Sequence, residues 1–216
     1  MSRPVTTARA WQLFAAWVAG DTEAARACLQ GGLALDPTAF REMLLMLHLF
    51  AGVPRTLEAC ALVEAEIPDL LPPPADEVRR EGDALERGMQ GFETVYAHKS
   101  KAVLARLEAF HGDIAHWVIG HAYGRVLGRP GLSFLDRELL AIAALVVLGT
   151  WPQLESHVRG AVRCGASEAS VVAVVESLAG RVPEERLESA RARIRALTAV
   201  LPSEAEGSPR NDEPDQ

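Results

Sequence analysis

Positive charge is scarce in this chain of 216 residues: 22 Lys and Arg stand against 29 Asp and Glu, a net charge of −7. Affinity for nucleic-acid phosphates rests on Lys and Arg, so a general nucleic-acid-binding surface is excluded. Cysteine is scarce too. Cys28, Cys60 and Cys164 form no C-x-x-C and leave an odd count, which predicts reduced thiols in a cytoplasm and no disulfide framework. The longest apolar run, Leu139 to Leu148, is about half of what a bilayer span needs. The N-terminus has basic residues and then an apolar stretch, but no small-residue cleavage site precedes Asp21 and Glu23. Alternating β-branched runs are few, which argues against a sheet protein. What remains is an ordinary globular balance, 49% hydrophobic and 24% charged, expected to be soluble and cytoplasmic, with no membrane and no nucleic acid among its partners.

The punctuation is that of helices. Asp21 predicts an N-cap for a helix running to Gln30, closed by Gly31-Gly32. Asp36-Pro37 is a cap followed by proline at the first helical position, opening a helix that reads to Phe50. Gly52 and Pro54 break it, and another helix follows from about Arg55 to Glu66. The segment PDLLPPPADE reads as a rigid connector, because proline cannot sit inside a helix. Helices are then expected over Val78–Met89, Thr94–Phe110 and Ile114–Leu127. Ser133-x-x-Asp136 is a capping pattern ahead of the apolar run, which is read as helix, not buried strand, because it is long, alanine-rich and capped. Gly149 ends it, Pro152 lies in the next first turn and Gly165 sits where a C′ residue belongs. Ser167–Leu178 and Glu184–Leu201 are the last two helices.

The two ends of the chain resemble each other. LFAAWVAGDTEAARACLQGG parallels LLAIAALVVLGTWPQLESHVRGA, with Gly20 opposite Gly149 and Cys28 opposite His157. Further on, Ala51-Gly52 falls opposite Ala179-Gly180, and Leu57-Glu58 opposite Leu187-Glu188. A duplication is expected, its copies packed about a pseudo-two-fold axis so that each buries an apolar face it cannot bury alone.

The stretch YGRVLGRPGLSFLDRELLAIAALVVLGTWPQLESHVRGAVRCGAS (123–167) is similar to the carboxymuconolactone decarboxylase family. The match is carried by Arg129-Pro130-Gly131-Leu132, Arg137-Glu138-Leu139, Gly149, Gln153-Leu154, His157-Val158 and Gly165. The same superfamily includes the alkyl-hydroperoxide reductase D-type proteins, whose pattern is Glu, C-x-x-C, then His. Glu138 and His157 keep that spacing of 19, but Thr150 and Gln153 occupy the cysteine positions. Neither can supply the thiolate that disulfide exchange needs, so that redox activity is not expected.

The resemblance implies an all-α, duplicated helical-hairpin fold. Residues 1–66 then form a degenerate half-repeat, 67–86 a proline-rich connector and helix, 87–201 the decarboxylase-like repeat, and 202–216 an acidic tail read as disordered. It implies a homotrimer or hexamer, a small carboxylate or lactone as substrate, and neither cofactor nor metal. By resemblance His157 is the acid–base residue, Glu138 its partner, and Arg129 and Arg137 the anion-binding candidates. Imidazole suits proton transfer near neutral pH, and guanidinium offers a planar fork to a carboxylate.

Bland readings compete. Glu138 in a first turn also suits the helix dipole, Arg137 a solvated face, and Arg129 a loop clasp. His157, beside Leu154, Val158 and Ala161, also fits a core histidine. In a straight antiparallel hairpin Glu138 and His157 would be offset axially by about 7.5 Å, a gap that a crossing angle or a water must close. His111, His116 and His121, spaced by five, fan around an α-helix and gather no metal. His48, in MLHLF, is read as a core or interface residue. The alternatives to a decarboxylase-like enzyme are a catalytically silent oligomeric relative and, less favoured, a redox protein of the D-type branch.

Overall fold

The computed structural model describes residues 5–70 and 82–200, and within them every regular element is helical. The all-α expectation is met. Most of the proline-rich connector and the whole acidic tail lie outside the described residues. In order the helices are α1 (Ala8–Ala19), α2 (Thr22–Gln30), α3 (Pro37–Met46), α4 (His48–Glu66), α5 (Ala84–Tyr96), α6 (Ser100–Phe110), α7 (Gly112–His116), α8 (Phe134–Leu148), α9 (Trp151–Arg163), α10 (Glu168–Ser177) and α11 (Glu184–Thr198). Helix α7 continues into a π-helical segment, Trp117–Leu127.

The caps act as the sequence requires. The carboxylates of Asp21 and Asp36 accept from the Ala24 and Ala39 amides, and the hydroxyls of Ser133 and Ser167 accept from the Asp136 and Ser170 amides. Each satisfies one amide that the first helical turn leaves without a partner.

Helix α8 is the axle of the fold. Every residue from Leu135 to Val146 is buried, including three charged ones at its start. It packs against α1, α9 and α10, while α1 also packs against α2. Burying a side chain such as Leu139, Leu140 or Ile142 stabilises by about 1.5–3 kcal/mol relative to exposure. The N-terminal segment is tied to this axle by Thr6, whose amide and hydroxyl both donate to Asp136 at 2.8 and 2.9 Å.

The break expected at Gly52 is observed: Leu47, between α3 and α4, keeps right-handed helical dihedrals, whereas Gly52, inside α4, adopts φ 75° and ψ 169°, and the two helices are bent by 107°. Met43, Met46 and Leu47 are buried in the chain's own core. No single described helix is long and apolar enough to cross a membrane. Two other features differ from the sequence expectation. The stretch expected as Thr94–Phe110 is interrupted at Ala97, which adopts φ 48°. The second difference is the π-winding of Trp117–Leu127. Here α5 and the π segment meet backbone to backbone: a Cβ on Gly88 would lie 1.9 Å from the Ile119 carbonyl oxygen, and one on Gly124 equally close to that of Ala84. That contact admits no side chain at either position, so glycine is required at both.

Candidate functional site

The first turn of α8 presents Asp136, Arg137 and Glu138 to three different surroundings, and all three are buried. Glu138 faces α9. Its Oε2 lies 2.8 Å from Nδ1 of His157, with the carboxylate side chain 2% exposed and the imidazole 18%. The axial gap anticipated from the hairpin is therefore closed by direct contact.

Gly160, one helical turn after His157, is what permits the approach. A Cβ there would sit 2.7 Å from Glu138 Oε2 and 3.0 Å from a methyl of Val95. Because the carboxylate can only accept, Nδ1 of His157 carries the hydrogen and Nε2 is left for other chemistry. Burial pushes the imidazole pKa down, but the charge and hydrogen bond of Glu138 outweigh it, and the net direction is up from 6.5.

The shell around the pair is aromatic and protonated. The Phe50 ring, from α4, meets the His157 ring edge-on at 6.3 Å between centroids. Phe92, Tyr96 and Tyr123 form a cluster with centroid separations of 4.4, 5.3 and 6.4 Å. The Tyr96 and Tyr123 hydroxyls share a hydrogen bond. Burial, and then the negative charge of Glu138 among other causes, pushes both phenols upward and the Cys164 thiol up to about 11. The Glu138 carboxylate is thus surrounded by groups that keep their protons.

Arg129 and Arg137 are brought together elsewhere. Both guanidinium groups donate to Glu42 of α3: Arg129 Nε at 2.8 and 3.1 Å, Arg137 Nη2 at 3.0 Å. Arg137 Nη2 also donates to the Arg129 carbonyl oxygen at 3.0 Å, fixing the loop before α8. Arg137, 1% exposed at its side chain, keeps Nε and Nη1 buried without hydrogen-bond partners. Its burial lowers the guanidinium pKa, with Glu42 opposing. The solvated reading of Arg137 does not hold.

Sequence reasoning missed Glu42, Phe50, Tyr96, Tyr123 and Gly160. Two had a signal. Glu42 is a carboxylate within an apolar stretch, which demands a buried partner, and Gly160 follows His157 by one turn on the face toward α8. Among the described residues no group of three His, Cys, Asp or Glu side chains could hold a metal ion.

Residues 112–196 match the model of the carboxymuconolactone decarboxylase family. Peroxisomal protein 2 of Schizosaccharomyces pombe is 34% identical over 137 residues, covering 61% of this chain and 63% of its own length. The Saccharomyces cerevisiae protein of the same name is 26% identical over 162 residues, covering 62% of this chain and 57% of its own length. A 4-carboxymuconolactone decarboxylase of Acinetobacter baylyi is 34% identical over 65 residues, 30% of this chain and 48% of that enzyme. The chain therefore spans less than two thirds of the length of these relatives.

Proposed function

We propose, starting from the carboxymuconolactone decarboxylase-family domain at residues 112–196, that this chain is a proton-transfer enzyme that decarboxylates a small carboxylate or lactone acid. The observation that supports the reading is the 2.8 Å contact between His157 and a carboxylate 2% exposed, which fixes one tautomer and raises the imidazole pKa. In the reaction the bond to the substrate carboxylate breaks and CO2 leaves. The bond pair moves into the conjugated system as an enolate, and imidazolium of His157 delivers a proton to carbon. Glu138 stabilises the imidazolium and then orients the neutral ring.

Arg129 and Arg137 serve this site through the Glu42 clasp that fixes the start of α8. Direct anion binding by either, the role the resemblance implies, would require the clasp to open. Thiol redox chemistry lacks its groups: Thr150 and Gln153 stand where the cysteine pair would be, and a thiol near pKa 11 such as Cys164 carries little thiolate at neutral pH.

The test is turnover of 4-carboxymuconolactone and related small lactone acids, followed by loss of the substrate absorbance. His157→Ala is expected to lower kcat by about 10²–10⁴-fold, the usual contribution of a positioned acid–base residue. Equal rates in the two proteins, or no turnover with calorimetric binding unchanged by the substitution, would leave a silent family scaffold.

Self-association into a trimer belongs to the same proposal. Leu85, Phe110, Ile114 and Trp117 are exposed by 42–64% and offer apolar surface for it. Light scattering behind size exclusion tests it, and a monomer overturns it. A cytoplasmic location is the companion expectation. The two yeast relatives are named as peroxisomal proteins, so imaging of the tagged full chain distinguishes the compartments.

A further inference from the structure

The three evenly spaced histidines that fan around an α-helix behave differently in this fold. In the π segment backbone bonds run from i to i+5, so side chains five apart lie closer to one face than they do on an α-helix. His116, the last residue of α7, and His121 line one groove of about 460 Å³, together with Asp83, Trp117 and Arg125. His48, at the start of α4, meets His121 from the other half of the chain. Its Nε2 lies 2.7 Å from Nε2 of His121, the rings meeting edge-on at 5.0 Å between centroids.

The tautomer of His48 is set. Its Nδ1 bonds to the Leu45 carbonyl oxygen, which can only accept, so Nδ1 holds the hydrogen and Nε2 presents a lone pair to His121. Donating the second ring nitrogen to a backbone carbonyl is the support that metal-ligating histidines use. In the metal-free chain one proton must lie between the two facing nitrogens, donated by His121.

We infer that His48 and His121 form a two-imidazole site for a divalent transition metal that holds neighbouring ligands at right angles, Ni(II) or Cu(II). With metal–nitrogen bonds of about 2.0–2.1 Å, ligands at a right angle stand about 2.9 Å apart, and tetrahedral ones about 3.3 Å. The observed 2.7 Å needs an opening of only about 0.2 Å for the first geometry and three times that for the second. Square-planar sites with nitrogen ligands select Cu(II) and Ni(II), and imidazole suits both ions. Since no third His, Cys, Asp or Glu among the described residues closes round the ion, the remaining positions belong to water or to a small molecule in the groove.

Ni(II) is the better probe, because it does not oxidise the free cysteines. Calorimetric titration of the full chain without an affinity tag is expected to give one equivalent of bound Ni(II). The ring resonances of His48 and His121 should broaden first in the NMR spectrum. His48→Gln and His121→Gln should each weaken binding at least tenfold with circular dichroism unchanged, while His98→Gln, on a different helical connection, leaves it alone. Absence of stoichiometric binding, binding indifferent to His121→Gln, or first broadening at other histidines would overturn the inference. None of these outcomes bears on His157, so this site and the proposed catalytic one stand or fall separately.

Discussion

Two hairpins of this molecule share a frame and differ in chemistry. The α1–α2 turn and the α8–α9 turn both close on a glycine in the left-handed region, Gly20 at φ 75° and Gly149 at φ 68°. In the register that pairs these glycines, Arg9 stands opposite Glu138, Cys28 opposite His157 and Gly31 opposite Gly160. Each long charged side chain reaches across its hairpin to the second glycine's turn. Arg9 donates to the carbonyl oxygens of Gly31 and Gly32, where a cation suits the C-terminal end of α2. Glu138 accepts from His157 instead. The difference teaches that one frame becomes a capping device or a hydrogen-bonded carboxylate–imidazole pair according to which two residues occupy it, and to whether the carboxylate is buried.

The comparison breaks most sharply at the second glycine. Gly160→Ala drives a methyl into a buried carboxylate and Val95, and overpacking of this kind costs about 1–3 kcal/mol. Gly31→Ala meets the end of Arg9 at 3.0 Å, a side chain that can move at the surface, and the Ala27 carbonyl oxygen at 3.3 Å, and its backbone is already right-handed at φ −71°. Its cost is expected within about 0.5 kcal/mol. Urea unfolding of the two variants gives the contrast directly, and equal losses would mean that the two hairpins are held alike.

Removing the reaching side chain should sort the hairpins in the same order. Glu138→Ala leaves a buried ring N–H without its acceptor, at about 1–3 kcal/mol. Arg9→Ala removes an exposed cap, worth about 0.3–1 kcal/mol. Thermal unfolding of both checks the ranking.

The pH dependence sharpens the comparison further. The folded pKa of His157 is raised above its unfolded value, so the stability it contributes is fully present below pH 6.5 and is lost as pH rises through the raised value. Denaturation midpoints of the wild type and His157→Gln should therefore converge as the pH is raised through that window. A gap that widens with rising pH would reverse the sign.

The smallest effect is expected from transplanting the pair. Arg9→Glu with Cys28→His recreates the residues in the first hairpin, where the carboxylate would sit near solvent and be screened. Its new histidine, at the buried position of Cys28, keeps the cost of burial while the exposed carboxylate compensates little, so it should titrate below 6.5 by NMR, whereas a raised value would mean that an exposed carboxylate serves as well as a buried one.

Much of this was legible in the sequence because caps and glycines act locally. Asp21, Asp36, Ser133 and Ser167 mark helix starts, and Gly149 marks an end, without reference to the rest of the chain. The Glu138–His157 spacing was readable as a resemblance, but its contact was not, because closing the hairpin depends on the missing side chain at Gly160. The π segment was illegible for a similar reason. Its winding accompanies the backbone contact of Gly88 and Gly124, which lie in helices 36 residues apart. The clasp of the two arginines was not readable because their partner, Glu42, comes from the opposite half of the chain. Local rules name a charged residue as buried or exposed only when its long-range partner is known.

The claim that Glu138 holds a proton on His157 is tested most directly by NMR titration of the imidazole in the wild type and in Glu138→Gln. With the carboxylate present, the ring should titrate above 6.5. With glutamine in its place only burial remains to act, and the value should fall below 6.5. A wild-type value at or below 6.5, or one that Glu138→Gln leaves unmoved, would contradict the account.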